Sequence, residues 1–260
     1  MFTYQSSPRL WKGRRKGCAL HKSLKLSRDS PSRLIRNWKL CGSEQRNSGK
    51  TGIKATTMVK YKLIYFNSMG RAEVVRLVFA QAGVEYEDVR IEKANWPALK
   101  EKMPFGQLPV LEEDGRLLAQ STAIATYLAS KFGLNGSDDW EAAKIQELFG
   151  ATSDLVNHAI PFWTTSDEKE KKKLMDAFEK EHLEPLFARL DNVLQHNGSG
   201  FFVGKKLSVA DLNMLCIIGL FSSMFPNTGA KHPHLIEFKD KIMNLPNIKK
   251  WIEMRPKTDF

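Results

Sequence analysis

The chain has 260 residues, a formal net charge of +11 and a sequence pI near 9.5, which taken alone would suggest nucleic acid or an acidic membrane as partner. Its distribution excludes that reading for most of the chain: residues 1–57 hold 14 Lys/Arg against Asp29 and Glu44, while the remaining 203 hold 26 basic and 27 acidic side chains. The cysteines, Cys18, Cys41 and Cys216, form no C-x-x-C, so neither a disulfide scaffold nor a zinc site is expected.

Residues 1–57 are rich in Arg, Lys and Ser, poor in acids and without apolar periodicity, so this basic extension is expected to be disordered. Three readings stay open for it: a leader upstream of a start at Met58, a mitochondrial presequence, or a polyanion-binding arm. Gly49-Lys50-Thr51 is not a phosphate loop, because the glycine required five residues earlier is Glu44. No apolar run reaches the ~20 residues that span a bilayer, and a reducing compartment suits the cysteines. The expected location is therefore cytoplasmic, or mitochondrial if the extension is a presequence.

From Met58 the pattern becomes regular. Lys62–Phe66 is a short apolar run suited to a buried strand. Ala72–Ala82 carries Val74, Val75, Val78 and Phe79 at helical spacing and stops at Gly83. Tyr86–Ile91 alternates as a second strand. Leu108–Leu111 and Arg116–Leu118 flank the hairpin signal Glu113-Asp114-Gly115, and Gln120-Ser121 precedes a helix over Thr122–Lys131. The order βαβ-ββα predicts an α/β N-terminal domain of thioredoxin-like arrangement over residues 58–136.

Residues 137–260 read as an all-α C-terminal domain. Leu174, Phe178, Leu186, Leu190 and Val193 recur at 3–4 spacing, with Pro185 expected to kink or split their helix. Ser208 and Asp211 form a capping signal ahead of a helix that is apolar nearly all round, predicted to be the central buried helix. Cys216 reads as a buried core thiol and His158 as a partly buried structural histidine.

Five motifs in order, Tyr61–Asn67, Gly70-Arg71-Ala72-Glu73, Trp96-Pro97, Phe105–Leu111 and Gln120-Ser121, resemble the glutathione transferases, specifically the sigma class that includes the prostaglandin D synthases. The similarity runs from about Val59 to the terminal Phe260. It implies a homodimer that binds glutathione as co-substrate, acts on small electrophiles, and needs no metal, nucleic acid or membrane. By this resemblance the catalytic residues are Tyr65 and Arg71. A thiol of pKa near ~8.5 is only slightly ionised at neutral pH. The Tyr65 phenol, protonated up to pH ~10, can donate to the thiolate, and Arg71 adds positive charge. By position alone, Tyr65 could equally be a strand-end core aromatic.

The resemblance also implies a glutathione site. Pro109 is expected to be cis, turning the Leu108 backbone toward the cysteinyl part of the ligand. Gln107 lies beside them, and Gln120 and Ser121 would hold the γ-glutamyl carboxylate at a helix N-terminus. Trp96 and Lys100 would meet the glycyl carboxylate. Asp154 would reach the ligand's amino group across a dimer interface. Phe66, Ser68, Phe162, Asn213 and Phe260, together with Arg71, would line the electrophile pocket; Phe162 and Asn213 are equally explained by core packing. The sequence departs from the prostaglandin synthases at Met69, Gly150, Ser153, Asn213 and Ile217, which favours general conjugation over prostaglandin isomerisation or metal activation. A non-catalytic binder of hydrophobic ligands on the same fold is the alternative.

Overall fold

The four strands of the N-terminal part assemble in the order β2-β1-β3-β4 in a computed structural model that describes residues 60–258. The basic extension, Met58, Cys18, Cys41 and Phe260 lie outside the described residues. β1 (Tyr61–Phe66) pairs in parallel with β2 (Glu87–Ile91) and antiparallel with β3 (Val110–Glu113), which pairs antiparallel with β4 (Arg116–Ala119). The parallel pair requires a crossover, supplied by α1 (Glu73–Ala82), whose Gly83 closes the helix at φ 66°. Asp114 and Gly115, at φ 48° and 81°, form the hairpin turn between β3 and β4.

β1 is buried on both faces, which explains its unbroken apolar run. Tyr61, Leu63 and Tyr65 enter the main core with α1 and α3 (Ser121–Phe132). Ile64 faces a second cluster with Ile91, Val110 and Ala119, covered by Leu99 of α2 (Trp96–Leu99) and by Met103. β3 starts two residues later than its apolar run, because Pro109 has no N–H to give the ladder.

The rest is helical: α4 (Asp139–Thr164), α5 (Glu168–Phe178), α6 (Glu184–Asn197), α7 (Val209–Met224), α8 (Pro226–Ala230), α9 (Pro233–Met243) and α10 (Pro246–Met254). This is a thioredoxin-like domain with a mixed sheet followed by an all-helical domain. α7 is the central helix, packed against α1, α4 and α9. Ser208 begins it: Asp211 Oδ2 accepts from the Ser208 N–H at 2.8 Å and hydroxyl at 2.9 Å, while Oδ1 accepts from the Phe202 N–H at 2.8 Å. Among the described residues no helix is long and apolar enough to cross a membrane.

Two expectations for this domain need correction. The segment Glu179–Leu183 is a π-helical turn, lodged between α5 and α6 just before Pro185. Its wider winding changes the phase of the buried stripe, so α6 buries Phe187, Leu190 and Leu194 while Val193 is exposed. His158 is also exposed; its ring stacks on that of His182, with centroids 3.8 Å apart.

Candidate active site

Two neighbouring aromatics at the end of β1, whose rings meet edge-on at 5.6 Å, line different lobes of one cleft. Phe66 lines the polar lobe, where its ring meets Trp96 edge-on at 5.6 Å. Tyr65 turns to the α1 face and is nine-tenths buried.

The first lobe is a polar recess of about 420 Å³. Trp96, Lys100, Gln107, Leu108 and Pro109 line one side of it, and Arg71, Gln120 and Ser121 the other. The Leu108–Pro109 peptide is cis. The ladder between β1 and β3 ends at Val110, so the sheet does not use the Leu108 backbone groups. They remain open to an extended ligand. Gln120 caps α3 at φ 76° without a side-chain bond to the helix, and its Nε2 instead donates to Gln107 Oε1 at 3.3 Å. Ser121 is the first helical residue, not the cap, so the first amides of α3 have no capping oxygen from Gln120. Such an N-terminus attracts an anion. Arg71 and Lys100 form no ion pair with a described carboxylate. The recess therefore offers two cations and a helix terminus to a small molecule carrying two carboxylates.

The second lobe is larger, about 830 Å³, mostly apolar, and meets the first at Arg71 and Ser121. Tyr65 and Met69 stand at one end; Val156, Ile160 and Trp163 of α4, and Leu220 and Met224 of α7, form its walls. The Tyr65 hydroxyl oxygen accepts the Arg71 backbone N–H at 3.1 Å. Its own proton is left for another acceptor in the cleft.

Gly70 makes this geometry possible. Its φ is +40°, and a Cβ there would lie 2.6 Å from the Tyr65 hydroxyl oxygen. Gly70→Ala is accordingly expected to displace Tyr65 and cost about 10²-fold in kcat/KM, the penalty of a misplacement near 1 Å. Steady-state kinetics on the folded variant checks this, and wild-type kcat/KM would refute it.

Other expected pocket residues are placed differently. Ser68 lines neither lobe; its carbonyl accepts from Arg76 Nη1 at 2.7 Å. Phe66 belongs to the polar lobe. Phe162 is in the helical core, edge-on to Phe178 at 5.1 Å. α4 carries two adjacent stripes: Leu148, Leu155, Ala159 and Phe162 face the core, Phe149, Ser153, Val156, Ile160 and Trp163 face the cavity, and the buried Thr152 between them also lines it. The 3–4 spacing of the second stripe was the available signal for its residues, and Trp163 holds the position expected of Phe162. Asn213 does line the lobe, with Nδ2 donating to Thr152 Oγ1 at 2.9 Å. Asp154 is exposed on α4, outside both lobes. Cys216 lines the inner wall, where burial pushes its thiol far above the ordinary range, so it stays protonated.

Residues 61–130 match the family described as Glutathione S-transferase, N-terminal domain, and residues 153–255 match Glutathione S-transferase, C-terminal domain. Glutathione S-transferase 1 of Ascaris suum is 39% identical over 206 residues, covering 78% of this chain and all of the relative. The Hematopoietic prostaglandin D synthase of Gallus gallus is 37% identical over 201 residues, covering 77% of this chain and 99% of the relative. Among solved structures, a monomeric glutathione S-transferase of the hookworm Necator americanus superposes with a TM-score of 0.71 at 38% identity, covering 78% of this chain and all of that one.

Proposed function

The chain belongs to the glutathione S-transferase family and is a glutathione transferase, and from that premise we propose that Tyr65 holds the cysteinyl sulfur of bound glutathione as its thiolate. Arg71 adds positive charge, and the thiolate then attacks an electrophilic centre lodged in the apolar lobe. The observation that carries this reading is the Tyr65 hydroxyl itself: it lies in the apolar lobe and accepts the backbone amide of Arg71, a residue that lines both lobes. Donation to a charged acceptor contributes about 1.5–3 kcal/mol, enough to lower the pKa of the thiol by one to two units at about 1.4 kcal/mol each.

In this reading the γ-glutamyl carboxylate sits at the start of α3 against Ser121 and Gln120. The cysteinyl backbone pairs with Leu108 beside Pro109, and the glycyl carboxylate lies toward Trp96 and Lys100, with Gln107 alongside. The enzyme is a sigma-class homodimer acting in detoxification of small electrophiles in the cytoplasm, and Asp154 serves the partner's ligand. Its exposure outside both lobes suits that role. Prostaglandin isomerisation is a second reading, favoured by the Gallus gallus relative and opposed by Asn213 and Ile217 in the cavity wall. A peroxidase reaction would use the same thiolate.

Calorimetric titration with glutathione tests the site. Ser121→Ala and Lys100→Met are each expected to weaken binding about tenfold, as loss of one hydrogen bond or charge contact to a carboxylate implies. Unchanged affinity in both would refute the proposed pose. Sedimentation of the same sample is expected to give a dimer, and a monomer would remove Asp154 from the site.

A further inference from the structure

Arg76 has no part in the proposed thiolate chemistry, yet it is fully buried on α1. Its Nη1 donates to the Ser68 carbonyl at 2.7 Å, the Met69 carbonyl at 3.3 Å and Glu73 Oε2 at 3.2 Å. Its Nε donates to Asp88 Oδ1 at 3.2 Å, and its guanidinium carbon is 5.9 Å from the centre of the Tyr65 ring. Nη2 finds no acceptor among the described residues. A buried cation with an idle donor is a poor stabiliser, since an apolar side chain of similar volume generally serves a core as well or better. What an apolar residue could not do is grip two successive carbonyls of the segment that joins β1 to Gly70. Two residues beyond those carbonyls, the Arg71 amide meets the Tyr65 hydroxyl.

Glu73, which itself lines the apolar lobe, extends the same contact to α10 and the residue after it. Besides Arg76, its carboxylate accepts from Trp251 Nε1 at 2.9 Å and Arg255 Nη1 at 2.7 Å. Trp251 lies on α10 and Arg255 directly follows it; Arg255 and Ile252 line the apolar lobe. One buried ion pair thus touches the loop that presents the thiolate's donor and the wall that would contact the electrophile.

We propose that the Arg76–Glu73 pair is a positioning device, in which Arg76 aligns the Arg71 amide on Tyr65 and Glu73 ties that alignment to Trp251 and Arg255. The proposal rests on the thiolate reading of Tyr65. Neither residue touches the reacting atoms. The prediction is that changes at Arg255 are felt at the bound sulfur, although Arg255 follows α10 and is 182 residues from Glu73 in the chain.

The test compares wild type, Arg76→Met, Arg255→Met and the double variant, reading the pH profile of kcat, the KM for glutathione and the melting temperature. A wild type that fails to ionise bound glutathione overturns the function and this inference together. With a normal wild type, Arg76→Met is expected to lower kcat about tenfold or more and to raise the pH at which the bound thiol ionises, with KM for glutathione within about twofold because the groups proposed to hold its carboxylates are untouched. Arg255→Met should shift the profile the same way by less. The double variant should fall short of the summed shifts, because both partners act through Glu73. A lowered melting temperature with an unchanged pH profile would reduce the pair to a structural role and overturn the proposal. If Arg76→Met does not fold, Arg76→Lys carries the same test alongside Arg255→Met, and wild-type profiles in both refute it.

Discussion

Replacing Tyr65 by phenylalanine is expected to lower turnover with an aryl halide by about 10²–10³-fold, the usual cost of removing one preorganised donor to a developing or resident anion. The ring should stay in place, because the aromatic body of Tyr65 packs against Phe66 at 5.6 Å and under the Arg76 guanidinium at 5.9 Å. Only the hydroxyl is lost, together with its bond from the Arg71 amide. KM for glutathione should change little, since the groups proposed to hold its carboxylates lie in the polar lobe. The loss should shrink as pH rises, because a thiol ionised by bulk base no longer needs the donor. Turnover matching wild type at neutral pH would remove Tyr65 from the mechanism.

The largest expected effect on stability is at Asp211, which is fully buried at the start of α7. Asp211→Ala removes the acceptor for two backbone N–H groups, those of Phe202 and Ser208, and for the Ser208 hydroxyl. Two unsatisfied buried N–H donors cost about 1–3 kcal/mol each and a lost cap about 1 kcal/mol, giving roughly 3–7 kcal/mol in all. For a unit of this size that corresponds to a fall of about 10 °C or more in melting temperature. α7 supplies one wall of the apolar lobe, so activity should disappear at the lowered unfolding temperature and not before it. A melting temperature within about 2 °C of wild type would show that the capping carboxylate contributes little.

Much of the fold was legible because its signals are local. Gly83 ends α1, Asp114-Gly115 makes the hairpin, and the Ser208–Asp211 pair starts α7, each within a few residues of the feature it determines. Part of the polar lobe was legible because Gln107–Pro109 and Gln120-Ser121 form two short stretches on either side of the hairpin. What escaped reading depends on geometry that no short window contains. The π-helical turn at Glu179–Leu183 shifts the stripe of α6 without a sequence marker of its own. α4 has two apolar stripes side by side, and only the position of α7 decides that Phe162 packs inward while Trp163 reaches the cavity. A cation on a helix is ordinarily solvated, so Arg76 could not be recognised as buried before its acceptors at Ser68, Met69 and Asp88 were in place. The bond from Arg255 to Glu73 joins residues 182 positions apart.

The decisive property of the bound complex is the acidity of the glutathione sulfur. Titration of the ultraviolet absorbance of the thiolate, with the enzyme saturated by glutathione, measures it directly. The predicted result is a thiol that ionises one to two pH units below free glutathione in the wild type and close to free glutathione in Tyr65→Phe. A wild-type thiol that titrates like the free tripeptide would contradict the account.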